Sequence, residues 1–142
     1  MEEMKLMLVD DEERFLSTTA KLLARKGFMV FTAPSGAEAL KNLKHNNIHV
    51  VILDVKMPGM DGIAVLKEIK RSFPLVEVLM LTGHGTVESA VEGLKSGATD
   101  FLSKPMDIDE LIQKAREAFE KRRRLEEKIL MAHSDICKKS PG

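Results

Sequence analysis

Five short apolar runs alternate with stretches of helical periodicity along the 142 residues, and this alternation restricts the fold more than any other feature. The runs are KLMLV (5–9), FMVFTA (28–33), HVVILD (49–54), VEVLMLT (76–82) and TDFLS (99–103). Helical spacing falls between them, over 12–26, 35–45, 61–73 and 86–96. A fifth helix starts after Asp107 and runs to about 131. Local signals agree with these bounds. The first helix carries Phe15, Leu16, Thr19, Leu22 and Leu23 on one stripe and closes at Gly27. The second opens on Ser35 with Glu38 three residues on, a capping-box pattern. Asp61 is placed to cap the third, Pro74 ends it, and Gly97 ends the fourth. Strands alternating one for one with helices imply right-handed crossovers and a doubly wound parallel sheet covered on both faces. In open sheets of that kind, ligands sit at the carboxyl ends of the strands.

The residues just after each strand are therefore the informative ones. Asp10, Asp11 and Glu12 follow the first, Asp54 ends the third, Thr82 and Gly83 close the fourth, and Ser103, Lys104 and Pro105 follow the fifth. Each has a plain structural reading: Asp10 as a turn former, Thr82 as a β-branched strand end, Lys104 as a solvated lysine. Joint placement on one edge is harder to explain that way. Carboxylates held about 4 Å apart repel by about 4 kcal/mol per pair at an effective dielectric of ~20. A hard divalent cation relieves this, and an oxygen-only set with few side chains suits Mg²⁺, which commonly shares its site with a phosphoryl group. A carboxylate beside the metal can act as nucleophile and become an aspartyl phosphate. Lys104 can pair with phosphoryl oxygens, the Thr82 hydroxyl can donate to one, and Gly83 leaves the approach open.

The segments LVDDE (8–12), LDVKMPGMDG (53–62), LTGHG (81–85) and DFLSKP (100–105) occur in this order and at spacings that are specific as a set. At these residues the chain, over about 4–120, resembles the CheY-like receiver domain of two-component response regulators. The resemblance implies an α/β, flavodoxin-like (βα)5 fold, strand order 2-1-3-4-5, with an extended C-terminal helix. It implies Asp54 as phosphoacceptor. Mg²⁺ would be held by Asp10, Asp11, Asp54 and the backbone carbonyl of Lys56. Lys104 would hold the phosphoryl group, with its bond to Pro105 expected cis. Thr82 and Phe101 would form the switch pair, the ring following Thr82 inward on phosphorylation. Plain core packing is the alternative for Phe101. Lys56 and His84 occupy the two positions that tune phosphoryl lifetime in this family. Neither is an amide or carboxylate, so a long-lived phosphoryl group is expected.

A sensor histidine kinase is the implied partner, with Mg²⁺ as cofactor. The face formed by residues 86–119 is expected to switch, controlling dimerisation or an output partner of transcriptional kind. LTGHGTVESAVEGLKSGATDFLSKP is similar to receivers of activators that also carry an ATPase and a helix-turn-helix domain. Such a domain is a phosphoacceptor rather than an enzyme in the ordinary sense. Two competing readings remain: a haloacid-dehalogenase-like, Mg-dependent phosphatase, and a non-phosphorylated receiver-like scaffold. The phosphatase would want its nucleophile after the first strand with a second Asp two residues on. Here the first-strand aspartates are adjacent and position 12 is Glu. A flavin-binding reading fails on the acidic first turn, DDEERFL, and on the lack of Trp and Tyr.

Composition narrows partners and compartment. With 22 basic and 22 acidic residues the formal net charge is +0, which gives no bulk attraction to nucleic acid or membrane. Absence of Trp and Tyr also disfavours a base-stacking platform. One cysteine, Cys137, excludes a disulfide framework and suits a reducing cytoplasm. No apolar run approaches membrane-spanning length. The receiver domain is expected over 1–120, and 121–142 as a helical extension or linker with a polar tail. Ile108, Leu111, Ala115, Ala118, Leu125 and Ile129 follow an alternating 3–4 spacing interrupted by Arg122. That pattern fits either a short coiled coil continuing a dimer interface through 108–129, or packing of 108–119 on the sheet followed by a solvated helix. KRRR (121–124) runs straight into LEEK and reads as helix charge pairing rather than a nucleic-acid contact.

Overall fold

A computed structural model describes residues 3–57, 60–83 and 87–139. The five expected strands form one parallel sheet: β1 (Lys5–Val9), β2 (Met29–Ala33), β3 (Val50–Asp54), β4 (Glu77–Thr82) and β5 (Asp100–Ser103). Their order is β2-β1-β3-β4-β5, and every neighbouring pair is parallel. The helices are α1 (Glu13–Arg25), α2 (Gly36–His45), α3 (Gly62–Ser72), α4 (Val87–Lys95) and α5 (Ile108–Lys139). This is the flavodoxin-like fold expected, with a long C-terminal helix.

Apolar runs become strands because both faces of the sheet are buried. In β3, alternate residues serve opposite faces: Val51 and Leu53 pack with α2 and α3, while Val50 and Ile52 pack with α1 and α5. α4 lies on the α3 side, where Gly93 permits close approach: a Cβ there would fall 1.9 Å from Met80 Sδ.

Helix ends follow their signals. The Ser35 Oγ accepts from the Glu38 N–H at 3.2 Å, and Asp61 Oδ1 accepts from the Ile63 N–H at 3.0 Å. Gly27 (φ +93°) and Gly97 (φ +110°) end α1 and α4 in the left-handed conformation. Each is followed by the six-to-one bond of a Schellman turn, from Phe28 N–H to Leu23 O and from Ala98 N–H to Gly93 O.

Three details depart from the expectations. Leu22 is 40 % exposed instead of joining the buried stripe of α1, because it sits at the stripe's edge beside Pro105 and Met106. Lys56–Met57 and Met60–Asp61 form a short antiparallel ladder inside the segment read as a turn. α5 runs past 131 to Lys139, since no Gly or Pro interrupts it before Pro141.

Candidate functional site

The sheet's switch point lies between β1 and β3, where successive crossovers leave in opposite directions, and the acidic residues flank it. Register puts them level. Val9 pairs with Leu53, so Asp10 and Asp54 project from adjacent strands at the same height. Thr82 ends β4 next door, paired with Ser103 of β5, and Lys104 follows, its N–H donating to Thr82 O at 2.9 Å.

Asp10 is fully buried and Asp54 is 4 % exposed, while Asp11 is exposed. Each of the three offers a carboxylate oxygen, and these oxygens lie within 4.8 Å of one another. Such crowding of hard oxygen ligands fits a divalent cation of the Mg²⁺ type. Asp10 also serves the turn: its Oδ1 accepts from the Glu12 N–H at 3.0 Å. The turn-former reading of Asp10 therefore holds, and the same carboxylate stands beside those of Asp11 and Asp54.

Lys104 reaches into this group. Its Nζ donates to Asp10 Oδ2 at 3.0 Å and stands 3.5 Å from Asp54 Oδ2. Burial alone disfavours the ammonium, but the hydrogen bond to Asp10 and the charges of Asp54, Asp10 and Glu12 outweigh it and raise the Lys104 pKa. Its bond to Pro105 is cis. The Thr82 hydroxyl is buried and donates to Leu102 O at 3.3 Å. Phe101 is half-buried on β5 against the Met80 side of the sheet.

Asp10, Asp11, Asp54, Thr82 and Lys104 thus come together at one edge, with Phe101 two residues back along β5 from Ser103, the partner of Thr82. Lys56 stands two residues after Asp54, its backbone in the short ladder and its side chain outside the described set; His84 lies outside the described residues. Sequence reasoning missed two partners. The Phe15 ring lies 5.1 Å from Lys104 Nζ, and Lys114 contacts Phe101. Phe15 was readable as part of an apolar stripe, but its position under a cation was not.

Comparison with known proteins agrees with this geometry. Residues 6–116 match the family model described as the response regulator receiver domain. The chain belongs to that family: it is a receiver domain of a two-component response regulator. It is 39% identical over 118 residues to the C4-dicarboxylate transport transcriptional regulatory protein DctD of Rhizobium meliloti (strain 1021), an alignment covering 83% of this chain and 26% of that protein. It is 43% identical over 106 residues to the transcriptional regulatory protein ZraR of Escherichia coli (strain K12), covering 75% and 24% respectively. Among solved structures, a response regulator receiver domain protein from Clostridium thermocellum superposes with a TM-score of 0.81 at 36% identity, covering 86% of this chain and 98% of that one. The chain spans about a quarter of the length of the curated relatives it matches. Receiver domains bind Mg²⁺ at an acidic aspartate cluster, and Asp10, Asp11 and Asp54 form such a group here. A receiver also implies a sensor kinase as partner. No helix among the described residues is long and apolar enough to cross a membrane. The haloacid-dehalogenase-like alternative gains no support.

Proposed function

We propose that Asp54 accepts a phosphoryl group from a sensor histidine kinase and that the face formed by residues 86–119 reports the event. One observation carries this: the Asp54 carboxylate shares a crowded, oxygen-only crevice with Asp10 and Asp11, with a lysine ammonium within 3.5 Å of it. An Asp54 oxygen attacks phosphorus of a phosphohistidine, the P–O bond forms as P–N breaks, and the leaving imidazole recovers a proton. Mg²⁺ held by Asp10, Asp11, Asp54 and the Lys56 carbonyl would supply charge neutralisation for the phosphoryl oxygens. Lys104 then moves its ammonium from Asp10 to a phosphoryl oxygen. The Thr82 hydroxyl exchanges Leu102 O for another, and Phe101 follows into the space Thr82 leaves. Lys56 and His84 give no amide or carboxylate to orient an attacking water, so dephosphorylation is slow; half-lives of seconds in the isolated domain would overturn that.

The output is transcriptional, in keeping with relatives named as transcriptional regulatory proteins. On the 86–119 face, α4 exposes Val91 and Leu94 at 43% and 42%. Beyond it, α5 exposes Leu125 and Ile129 at 39% and 51%. These surfaces support homodimerisation through 86–119 and the 108–129 helix. Direct nucleic-acid contact by this domain is not expected, because Arg122 pairs with Glu126 and Arg123 with Glu120 and Glu127. The receiver acts in the cytoplasm.

Intact mass after incubation with acetyl phosphate and Mg²⁺, for the parent and Asp54→Ala, tests the reading. A phosphoryl adduct in the parent alone, abolished by EDTA, is expected. An adduct in both proteins overturns the assignment of Asp54. No adduct in either favours the scaffold reading.

A further inference from the structure

Among the described residues β5 is an edge strand, paired with β4 on one side only. Its outward N–H and C=O groups at Phe101 are nevertheless engaged. Asp100 Oδ1 accepts from the Phe101 N–H at 2.8 Å. Lys114 of α5 donates from Nζ to Phe101 O at 2.8 Å. The same ammonium lies 3.3 Å from Asp100 Oδ2 and 3.8 Å from Glu110 Oε1. It also stands 5.4 Å from the centroid of the Phe101 ring. One cation therefore touches the carbonyl and the ring of Phe101, and through Asp100 it fixes the carboxylate that receives the N–H. Its side chain is only 24% exposed, so these contacts are partly shielded from water.

We propose that Lys114 is a positioning residue that holds Phe101 in the unphosphorylated arrangement and so sets how readily the switch is thrown. The proposal rests on the reading of Thr82 and Phe101 given above. When Phe101 follows Thr82 inward, the ring leaves the ammonium. The hydrogen bond from Lys114 to the Phe101 carbonyl can persist through a rotamer change; the cation–ring contact cannot. Its loss opposes switching by a cation–π contact of about 0.5–1 kcal/mol, or roughly 2–5-fold in the equilibrium. A ligand that favours the switched state must work against that bias, and removing the cation removes it.

The test uses the full chain and beryllofluoride with Mg²⁺, a phosphoryl mimic, titrated by calorimetry. Lys114→Met keeps the aliphatic stem and removes the charge; Lys114→Arg restores a cation able to lie over the ring. Lys114→Met should bind the mimic roughly 2–5-fold more tightly than the parent, and Lys114→Arg should return to the parent's affinity. In a Phe101→Leu background, Lys114→Met should change affinity by less than about half as much, because no ring remains to hold. The Phe101 ring resonances of free Lys114→Met should move toward those of the loaded parent, a shift that a purely structural role for Lys114 would not produce. Unchanged or weaker binding by Lys114→Met, or an equal effect with and without the ring, overturns the proposal while leaving the phosphoacceptor reading intact. Failure of the parent itself to bind overturns the phosphoacceptor reading and this proposal with it.

Discussion

The Lys104 ammonium rests on Asp10, 3.0 Å from Oδ2, and stands farther from Asp54, at 3.5 Å. The preference follows burial. Asp10 is wholly enclosed and needs a countercharge, whereas Asp54 keeps a sliver of solvent contact. Lys104 is thus held ready beside the proposed acceptor while neutralising its neighbour.

Lys104→Met should lower stability by about 1–3 kcal/mol without metal, less than for a fully buried pair because the lysine is 27% exposed. Added Mg²⁺ should narrow the gap. The pH dependence has a definite sign. A pKa raised above the ordinary 10.5 means that the folded state holds this proton more tightly. The stabilisation is fully present below about 10.5 and is lost as pH rises through the folded-state value. Lys70 titrates with the opposite sign, since burial, opposed by Glu77, lowers its pKa. The difference between parent and Lys104→Met cancels Lys70, so that difference, from urea midpoints at neutral pH and above 10.5, is the quantity to follow. A gap that does not shrink at high pH would refute the pairing.

Mg²⁺ should raise the melting temperature of the parent. Stabilisation by a ligand that binds only the folded state reaches about 1.4 kcal/mol at ten times its Kd. Asp11→Asn should abolish most of this response, because the exposed carboxylate is one of the three that converge within 4.8 Å. Without metal the same substitution should leave stability unchanged or slightly increased, since it removes repulsion among the three carboxylates. Equal Mg²⁺ shifts in parent and variant, by thermal denaturation, would remove Asp11 from the metal set.

Gly62, at the start of α3, lies against backbone. A Cβ there would fall 2.5 Å from Val55 O and 2.7 Å from Val55 Cα. Helix propensity alone favours Gly62→Ala by roughly 0.5–1 kcal/mol. The clash should win, with a net loss of about 1–3 kcal/mol, because neither backbone segment can rotate away as a side chain could. Val55 follows Asp54 directly, so the displaced backbone should also weaken Mg²⁺ binding. A stabilised variant with unaltered Mg²⁺ affinity, by urea denaturation and calorimetry, would refute the role of this close approach.

The strands and the acidic edge were legible because both depend on residue type in local order. Runs such as VVIL can hardly be anything but a strand buried on both faces, and Asp54 is forced to the edge by where that run stops. Ser35, Asp61, Gly27 and Gly97 likewise act within a turn of themselves. What escaped was contact between elements distant in the chain. Phe15 meets Lys104, Lys114 meets Phe101, and Arg122 meets Ile48, each after a crossover has closed. No local spacing encodes such approaches. The ladder joining Lys56–Met57 to Met60–Asp61 was hidden for another reason: a two-residue strand is too short for any period to show.

Arg122 makes an approach of this kind. In the sequence it interrupts an apolar 3–4 spacing on α5. In the structure it is the last member of the stripe Leu111, Ala115, Ala118, Arg122, of which the first three are fully buried and Arg122 is 8% exposed. Its NH1 donates to Ile48 O at 2.8 Å, its NH2 to Asn47 Oδ1 at 3.3 Å, and its Nε to Glu126 Oε1 at 2.6 Å. The long stem lets an apolar stripe end in a charge that satisfies the turn before β3. Arg122→Ala leaves Ile48 O without this donor and should destabilise by about 1–3 kcal/mol. Arg123→Ala, at a side chain 43% exposed and paired with the surface carboxylates of Glu120 and Glu127, should change stability by at most about 0.5 kcal/mol. Hydrogen exchange should accelerate in Arg122→Ala at 46–49 and in α5 beyond 118, but not in α4. Equal effects of the two substitutions would mean that the guanidinium of Arg122 is solvated like its neighbour's, and that α5 parts from the domain before residue 122.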